Sequence, residues 1–276
     1  MGASRTVSTP DAVSVRIVDS RAVRWLGPLV LPALALASYQ QLATSGATPY
    51  FPSLSDIAAA ALQLWFGEGF VRDVLPSLTN LAIGYAAGVI LGVSLGLLLG
   101  RLPAIGTAVQ PVIAFGLTMP AVALLPVFLI VFGIGAHMQQ AVITMSVFFV
   151  QVVNTADGVR RTDPVLLDLA RVYRLPRWRR ILQLVLPAAS NQVFAGARVG
   201  LSAALMVMVV GEMVGASNGI GAVTLLAQQD FAYARMWAGI VLLAVLGVVL
   251  NAGFVAVERR LAAHLGLNPA DTEGVS

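Results

Sequence analysis

Residues 102–156 read LPAIGTAVQPVIAFGLTMPAVALLPVFLIVFGIGAHMQQAVITMSVFFVQVVNTA, 55 consecutive residues with no Asp, Glu, Lys or Arg. A helix crosses about 30 Å of hydrocarbon with about 20 apolar residues, and this stretch as a single helix would be about 80 Å long. It therefore turns inside, and the turn falls at Gly133-Ile-Gly-Ala-His-Met138, where two glycines and a histidine interrupt the apolar run. Outward from it, Asp, Glu and Arg are also absent from Trp25 to Ser55, Val74 to Gly100 and Met236 to Val257. A further apolar run, Val193 to Met213, holds Arg198 and Glu212 near its two ends. The pattern predicts an all-α polytopic membrane helix bundle of about six transmembrane helices, near 24–44, 78–100, 111–133, 138–158, 191–213 and 236–257. A cytoplasmic N-terminal tail (1–23) and C-terminal tail (261–276) flank a transmembrane domain over 24–260.

Composition agrees. The chain is 58% hydrophobic and 11% charged, against about a quarter charged in an ordinary soluble domain. All 17 basic residues are arginines, so Schiff-base chemistry and a P-loop lysine are excluded. There is no cysteine, which removes disulfides, thiolate nucleophiles and thiolate metal sites. Two histidines far apart in sequence, His137 and His264, make no multi-histidine metal site. The net charge of +4 comes from arginines gathered in a few stretches, which reads as cytoplasmic loops rather than as a nucleic-acid footprint.

Arginine placement orients the bundle. Fourteen arginines fall on one side of the expected spans, seven of them between Arg160 and Arg180, while Arg72 and Arg235 fall opposite and Arg198 at a boundary. The positive-inside rule puts both termini in the cytoplasm. A rival reading of the first span is a signal peptide cleaved after Ala35-Leu36-Ala37. Leu54 to Phe66 reads as an amphipathic helix, lying either at the outer interface or packed on the bundle.

The loop 160–187 contains DPVLLDLARVYRLPRWRRILQLVLP from Asp163 to Pro187 and carries helix punctuation. Asp163 can cap a helix with Pro164 at its first position, and Pro176 can begin a second short one. Leu166, Leu169 or Ala170, and Tyr173 recur at helical spacing. Two short helices of this kind, apolar on one side and arginine-rich on the other, form a knob that needs a partner or a bundle end against its stripe.

The spacing Asp168-x-Ala170-x3-Arg174-x9-Leu184-x-Leu186-Pro187 resembles the EAA loop of ABC importer permeases, E-A-A-x3-G-x9-I-x-L-P. Phe51-Pro-Ser, Gly84, Pro111, Met119-Pro120, Leu125-Pro126, Phe132-Gly-Ile-Gly135, Asn154-Thr155, Gly211-Glu-Met213 and Gly219-Ile-Gly221 extend the likeness, in order, to the nitrate, sulfonate, taurine and bicarbonate branch of the binding-protein-dependent type I family. The resemblance implies a MetI-like permease fold in a bacterial inner membrane. It further implies a second permease copy, as a homodimer, an ABC ATPase dimer that binds ATP and Mg²⁺, and an extracytoplasmic solute-binding protein. The chain itself is then a transport subunit without enzymatic activity or a cofactor of its own. ATPase coupling falls, by the resemblance, to Asp168, Leu169, Ala170, Arg174, Leu175, Pro176, Leu186 and Pro187. The sequence departs from the pattern twice: Asp168 and Leu169 replace Glu and Ala, and Arg174 replaces the glycine that permits the turn. A left-handed backbone there costs a non-glycine residue about 1 kcal/mol, so either the turn differs or Arg174 carries the strain.

Three residues are candidates for the pathway or gate. Glu212 is the acidic residue placed within an expected span; it lines the route, or it is bonded to backbone N–H groups around 215–221. Pro120 and Pro126 fall in one expected span and free backbone carbonyls there, either beside a cavity or as a packing kink. Gly84, Gly88, Gly92 and Gly96 form a small-residue ridge against a neighbour in this chain or in a second copy. The alternative function is a stand-alone secondary transporter or channel. One carboxylate and one boundary arginine are sparse for ion coupling, and the knob would have no role in it.

Overall fold

The computed structural model describes residues 21–46 and 50–264. The expected tails therefore lie largely outside the described residues. Two units separate, residues 1–54 and 55–276.

In the first unit, α1 (Arg21–Thr44) occupies the first expected span. The chain after it folds back on the helix end. Tyr39 donates its hydroxyl to the Pro52 carbonyl at 3.0 Å, its ring meets Phe51 edge-on, and the Leu54 amide donates to Gln40 Oε1 at 3.1 Å.

The second unit begins with α2 (Leu54–Phe66), whose Ile57 and Leu64 are buried. Leu64 joins a cluster with Val74, Ile220 and Leu242, so α2 packs on the bundle while Leu62 and Phe66 stay exposed. Among the described residues, four helices are long and apolar enough to cross a bilayer: α3 (Phe70–Arg101), α6 (Ala136–Arg160), α8 (Arg177–Gly215) and a final helix that starts at Tyr233. Between α3 and α6 lie α4 (Pro103–Thr118) and α5 (Leu125–Phe132), which with the 3₁₀ turn before α5 make a pair bent by 86°. After α6 come α7 (Pro164–Val172), then α8, then α9 (Ile220–Gln229) and α10 (Tyr233–His264). With the bent pair taken as one span, up to five crossings form among the described residues, roughly consistent with the expected plan of about six.

The third span departs from expectation. A straight helix over 111–133 does not form: α4 starts at Pro103 and stops at Thr118, because Met119 before Pro120 is extended (φ −77°, ψ 118°), as the proline ring demands of its predecessor. Pro126 then sits in the first turn of α5, where its missing N–H breaks no bond, so only Pro120 marks the break. The expected turn after it forms at Gly133 and Gly135, both with positive φ.

The core is a three-helix layer, α3 against α6 against α8. The glycine ridge of α3 meets α6 of the same chain. A Cβ at Gly84, Gly88, Gly92 or Gly96 would lie 2.8, 2.7, 2.5 or 2.5 Å from the Cβ of Ile143, Val147, Gln151 or Thr155. The four-residue register of the ridge thus repeats in its partner, and the backbones approach closely. Polar side chains fasten the layer where apolar packing alone gives no directionality. Asn80 donates to Gln139 Oε1 (2.6 Å) and accepts from Gln140 Nε2 (2.9 Å), and Gln151 Nε2 donates to the Val193 carbonyl of α8 (3.1 Å). In contrast α10 is almost entirely exposed along its apolar length, the condition of a helix that faces lipid.

Candidate functional site

At the arginine-rich end, the elbow forms as the punctuation implies. Asp163 Oδ1 accepts from the Val165 amide at 2.8 Å and caps α7, with Pro164 in the first turn. The helix closes by a Schellman arrangement: the Leu175 amide reaches the Ala170 carbonyl and the Arg174 amide the Arg171 carbonyl, both at 3.0 Å. Arg174, where the EAA pattern has glycine, holds φ +49°. The turn is therefore retained, and arginine carries its strain. Relief of that strain, offset by the greater unfolded-state entropy of glycine, predicts that Arg174→Gly gains up to about 1 kcal/mol while Arg174→Ala gains nothing. Thermal unfolding of the detergent-solubilised protein checks this, and a lower midpoint for Arg174→Gly would show the side chain, not the backbone, to matter.

Pro176 caps the next helix, but that helix is not short. It runs as α8 from Arg177 to Gly215, through a π turn at Ile181–Val185, so Leu186 and Pro187 lie inside a rod that enters the bundle. The expected apolar stripe divides in two. Ala170 is 1% exposed and Leu167 packs on the cluster of Val159, Val185 and Ala189, seating α7 on the bundle. Val165, Leu169, Val172 and Tyr173 face outward, the last two 77% and 75% exposed. Asp168 is exposed and pairs with Arg171 one turn on. Ala170 thus forms the seat, and the accessible apolar face belongs to Val165 and Val172 as well, which sequence spacing did not single out.

At the opposite end Glu212 is buried, 1% exposed. Its Oε2 accepts from the Gly221 amide at 2.8 Å. Asp73 Oδ1 accepts from the Gly219 amide (3.3 Å) and Ser77 Oγ from Ile220 (3.0 Å). These three amides open α9, a helix start unnoticed in the sequence, and two carboxylates with a hydroxyl satisfy them. Gly219 holds φ +126°, and a Cβ there would lie 2.6 Å from the Glu212 carboxyl carbon. Glu212 is in this sense bonded to the backbone, as one of its two expected environments foresaw. Its span companion Arg198 pairs with Glu258 of α10. Pro120 and Pro126 are both exposed. A cavity of about 580 Å³ lies at the end where α9 begins, between α2, α9 and the start of α10, and holds both remaining arginines, Arg72 and Arg235, beside Glu68, Asp73 and Asp230.

The bundle has the fold of an ABC importer permease. A chain of the MetNI methionine ABC transporter in an inward-facing conformation superposes with a TM-score of 0.61, over 74% of this chain and 97% of that one, at 18% identity. The chain belongs to the family described as binding-protein-dependent transport system inner membrane component, whose model matches residues 88–263. It is similar to the aliphatic sulfonates transport permease protein SsuC of Bacillus subtilis, 28% identical over 86% of this chain and 87% of that protein. It is also similar to the taurine transport system permease protein TauC of Escherichia coli, 26% identical over 77% and 79%. The nitrate import permease protein NrtB of Synechococcus elongatus is 32% identical over 56% of this chain and 55% of that one. The chain is thus a membrane-spanning transport subunit.

Proposed function

We propose that two copies of this chain form the translocation pathway of an ATP-driven importer in a bacterial inner membrane, for a small solute handed over by an extracytoplasmic binding protein. The elbow 160–187 lies in the cytoplasm, and α7 docks in a cleft of a separate ATPase that binds ATP and Mg²⁺. The observation that carries this is the exposed apolar face of α7 on a helix held rigidly by Ala170 and by the turn at Arg174, continuous through α8 with the membrane core. An apolar patch so placed outside the bilayer calls for a protein cover. Orientation rests on the arginines: Arg101, Arg160, Arg171, Arg177 and Arg180 gather at the elbow end, Arg72 and Arg235 at the other. The binding protein then meets the end that carries α9 and the mixed-charge cavity. The relatives named for aliphatic sulfonates, taurine and nitrate share an oxyanion in their cargo, and a small solute of that kind is the first to try.

The native chain has no cysteine, which makes the test direct. Tyr173→Cys is expected to crosslink to the ATPase in membranes and to react with an impermeant maleimide only from the cytoplasmic side. Val172→Asp with Tyr173→Asp is expected to remove transport-coupled ATP hydrolysis while leaving the amount of permease in the membrane unchanged. Uptake at the native rate by that double variant, or labelling of Tyr173→Cys from outside, would end the proposal.

A further inference from the structure

Between α7 and the bundle lies a second cavity of about 700 Å³, walled by five arginines, Arg101, Arg160, Arg171, Arg177 and Arg180, and by no acidic residue. Arg160 and Arg171 are partly neutralised by Asp157 and Asp168, each one turn away on its own helix and outside the cavity wall. Arg101, Arg177 and Arg180 make no ion pair among the described residues. Arg101 and Arg180 are close enough to repel one another. Like charges so placed lower their energy by sharing an anion.

Two further polar groups border the same site. Thr162, 6% exposed, has a buried hydroxyl without a hydrogen-bond partner, and the buried Nε of Arg180 has none either; both residues line the cavity. A buried donor left unpaired costs about 1–3 kcal/mol. The third feature is the lip. Leu98 and Leu102, at the end of α3 and just after it, line the cavity and are exposed. The site is therefore amphipathic, lined by guanidinium groups and by exposed leucines.

We propose that this cavity binds the phosphate group of an anionic phospholipid from the cytoplasmic leaflet, with its acyl chains leaving over Leu98 and Leu102. Guanidinium groups donate to phosphate oxygens in bidentate geometry, and basic pockets between membrane helices on this side suit such headgroups. The lipid would brace α7 against the α3–α4 corner and so become part of the elbow's seat. A free phosphate offers the same oxyanion to the arginines but makes no use of the leucines.

The test uses the full-length permease, stripped of lipid in detergent and titrated with phosphatidylglycerol, phosphatidylcholine or inorganic phosphate, with adducts counted by native mass spectrometry. Phosphatidylglycerol is expected to bind about tenfold more tightly than phosphatidylcholine, and Arg101→Gln with Arg180→Gln to remove that preference. Arg259→Gln with Arg260→Gln, outside the cavity, is expected to leave it intact. Should the first pair fail to fold, Arg177→Gln alone is expected to weaken phosphatidylglycerol binding about threefold to fivefold. Inorganic phosphate binding as tightly as the lipid, with the same dependence on Arg101 and Arg180, would support the oxyanion site and overturn the lipid as its source. Equal binding of the two lipids, or a preference untouched by the cavity variants, would overturn the proposal.

Discussion

Gly92→Leu is expected to prevent stable folding in the membrane. Even the first carbon of a side chain at Gly92 would sit 2.5 Å from Gln151 Cβ and 3.0 Å from the Phe148 carbonyl oxygen. Neither neighbour can give way cheaply. Gln151 is fully buried and tied to Val193, and Phe148 would have to move its backbone. The two helices must separate, and the ridge at Gly84, Gly88 and Gly96 separates with them, so the loss is cooperative. Overpacking at one site costs about 1–3 kcal/mol, and a leucine that opens a whole helix pair costs more. Gly92→Ala is expected to lower the unfolding midpoint measurably and Gly92→Leu to leave little folded protein on size-exclusion chromatography. Gly247→Ala is the control, because nothing lies within 4 Å of a Cβ there. A Gly92→Leu protein as monodisperse as the native one would show that the α3–α6 contact is looser than described.

The second large effect concerns Glu212. Glu212→Ala removes the acceptor for the Gly221 amide and leaves a void among buried atoms at the start of α9. A lost cap and an unsatisfied buried amide together cost about 3 kcal/mol. Glu212→Gln keeps a carbonyl oxygen for that amide and should retain most of the stability. The pair of variants separates two roles. If Glu212 acts only as the cap, uptake follows stability: near native in Glu212→Gln, severely reduced in Glu212→Ala. If its charge serves the pathway, Glu212→Gln folds with a native unfolding midpoint and still loses transport. Uptake assays on membranes matched for permease content distinguish these outcomes.

The elbow shows how closely a local pattern can foretell a fold. Asp163, Pro164 and Pro176 act through their own backbone neighbours, so their spacing alone announces both helix starts. The break at Met119-Pro120 has the same local cause, yet a hydropathy reading runs straight across it, because hydropathy registers apolar length and not the direction of the chain. The start of α9 is hard to read locally because two of the three groups that satisfy it lie far away in sequence. Asp73 and Ser77 reach it from about 145 positions earlier, and no local capping residue announces it.

The sequence by itself determined that this chain spans a membrane, about how often, and where an arginine-bordered elbow interrupts the spans. Charge and apolar length decide transfer into hydrocarbon residue by residue, whatever the neighbours are. Only the tertiary structure decided which helix receives the glycine ridge, that Ala170 faces inward while Val172 and Tyr173 face outward, and that Glu212 closes a helix start. Each of these depends on which surfaces meet in space, and a side chain's burial and hydrogen-bond partners are set by the helix packed against it, not by its place along its own.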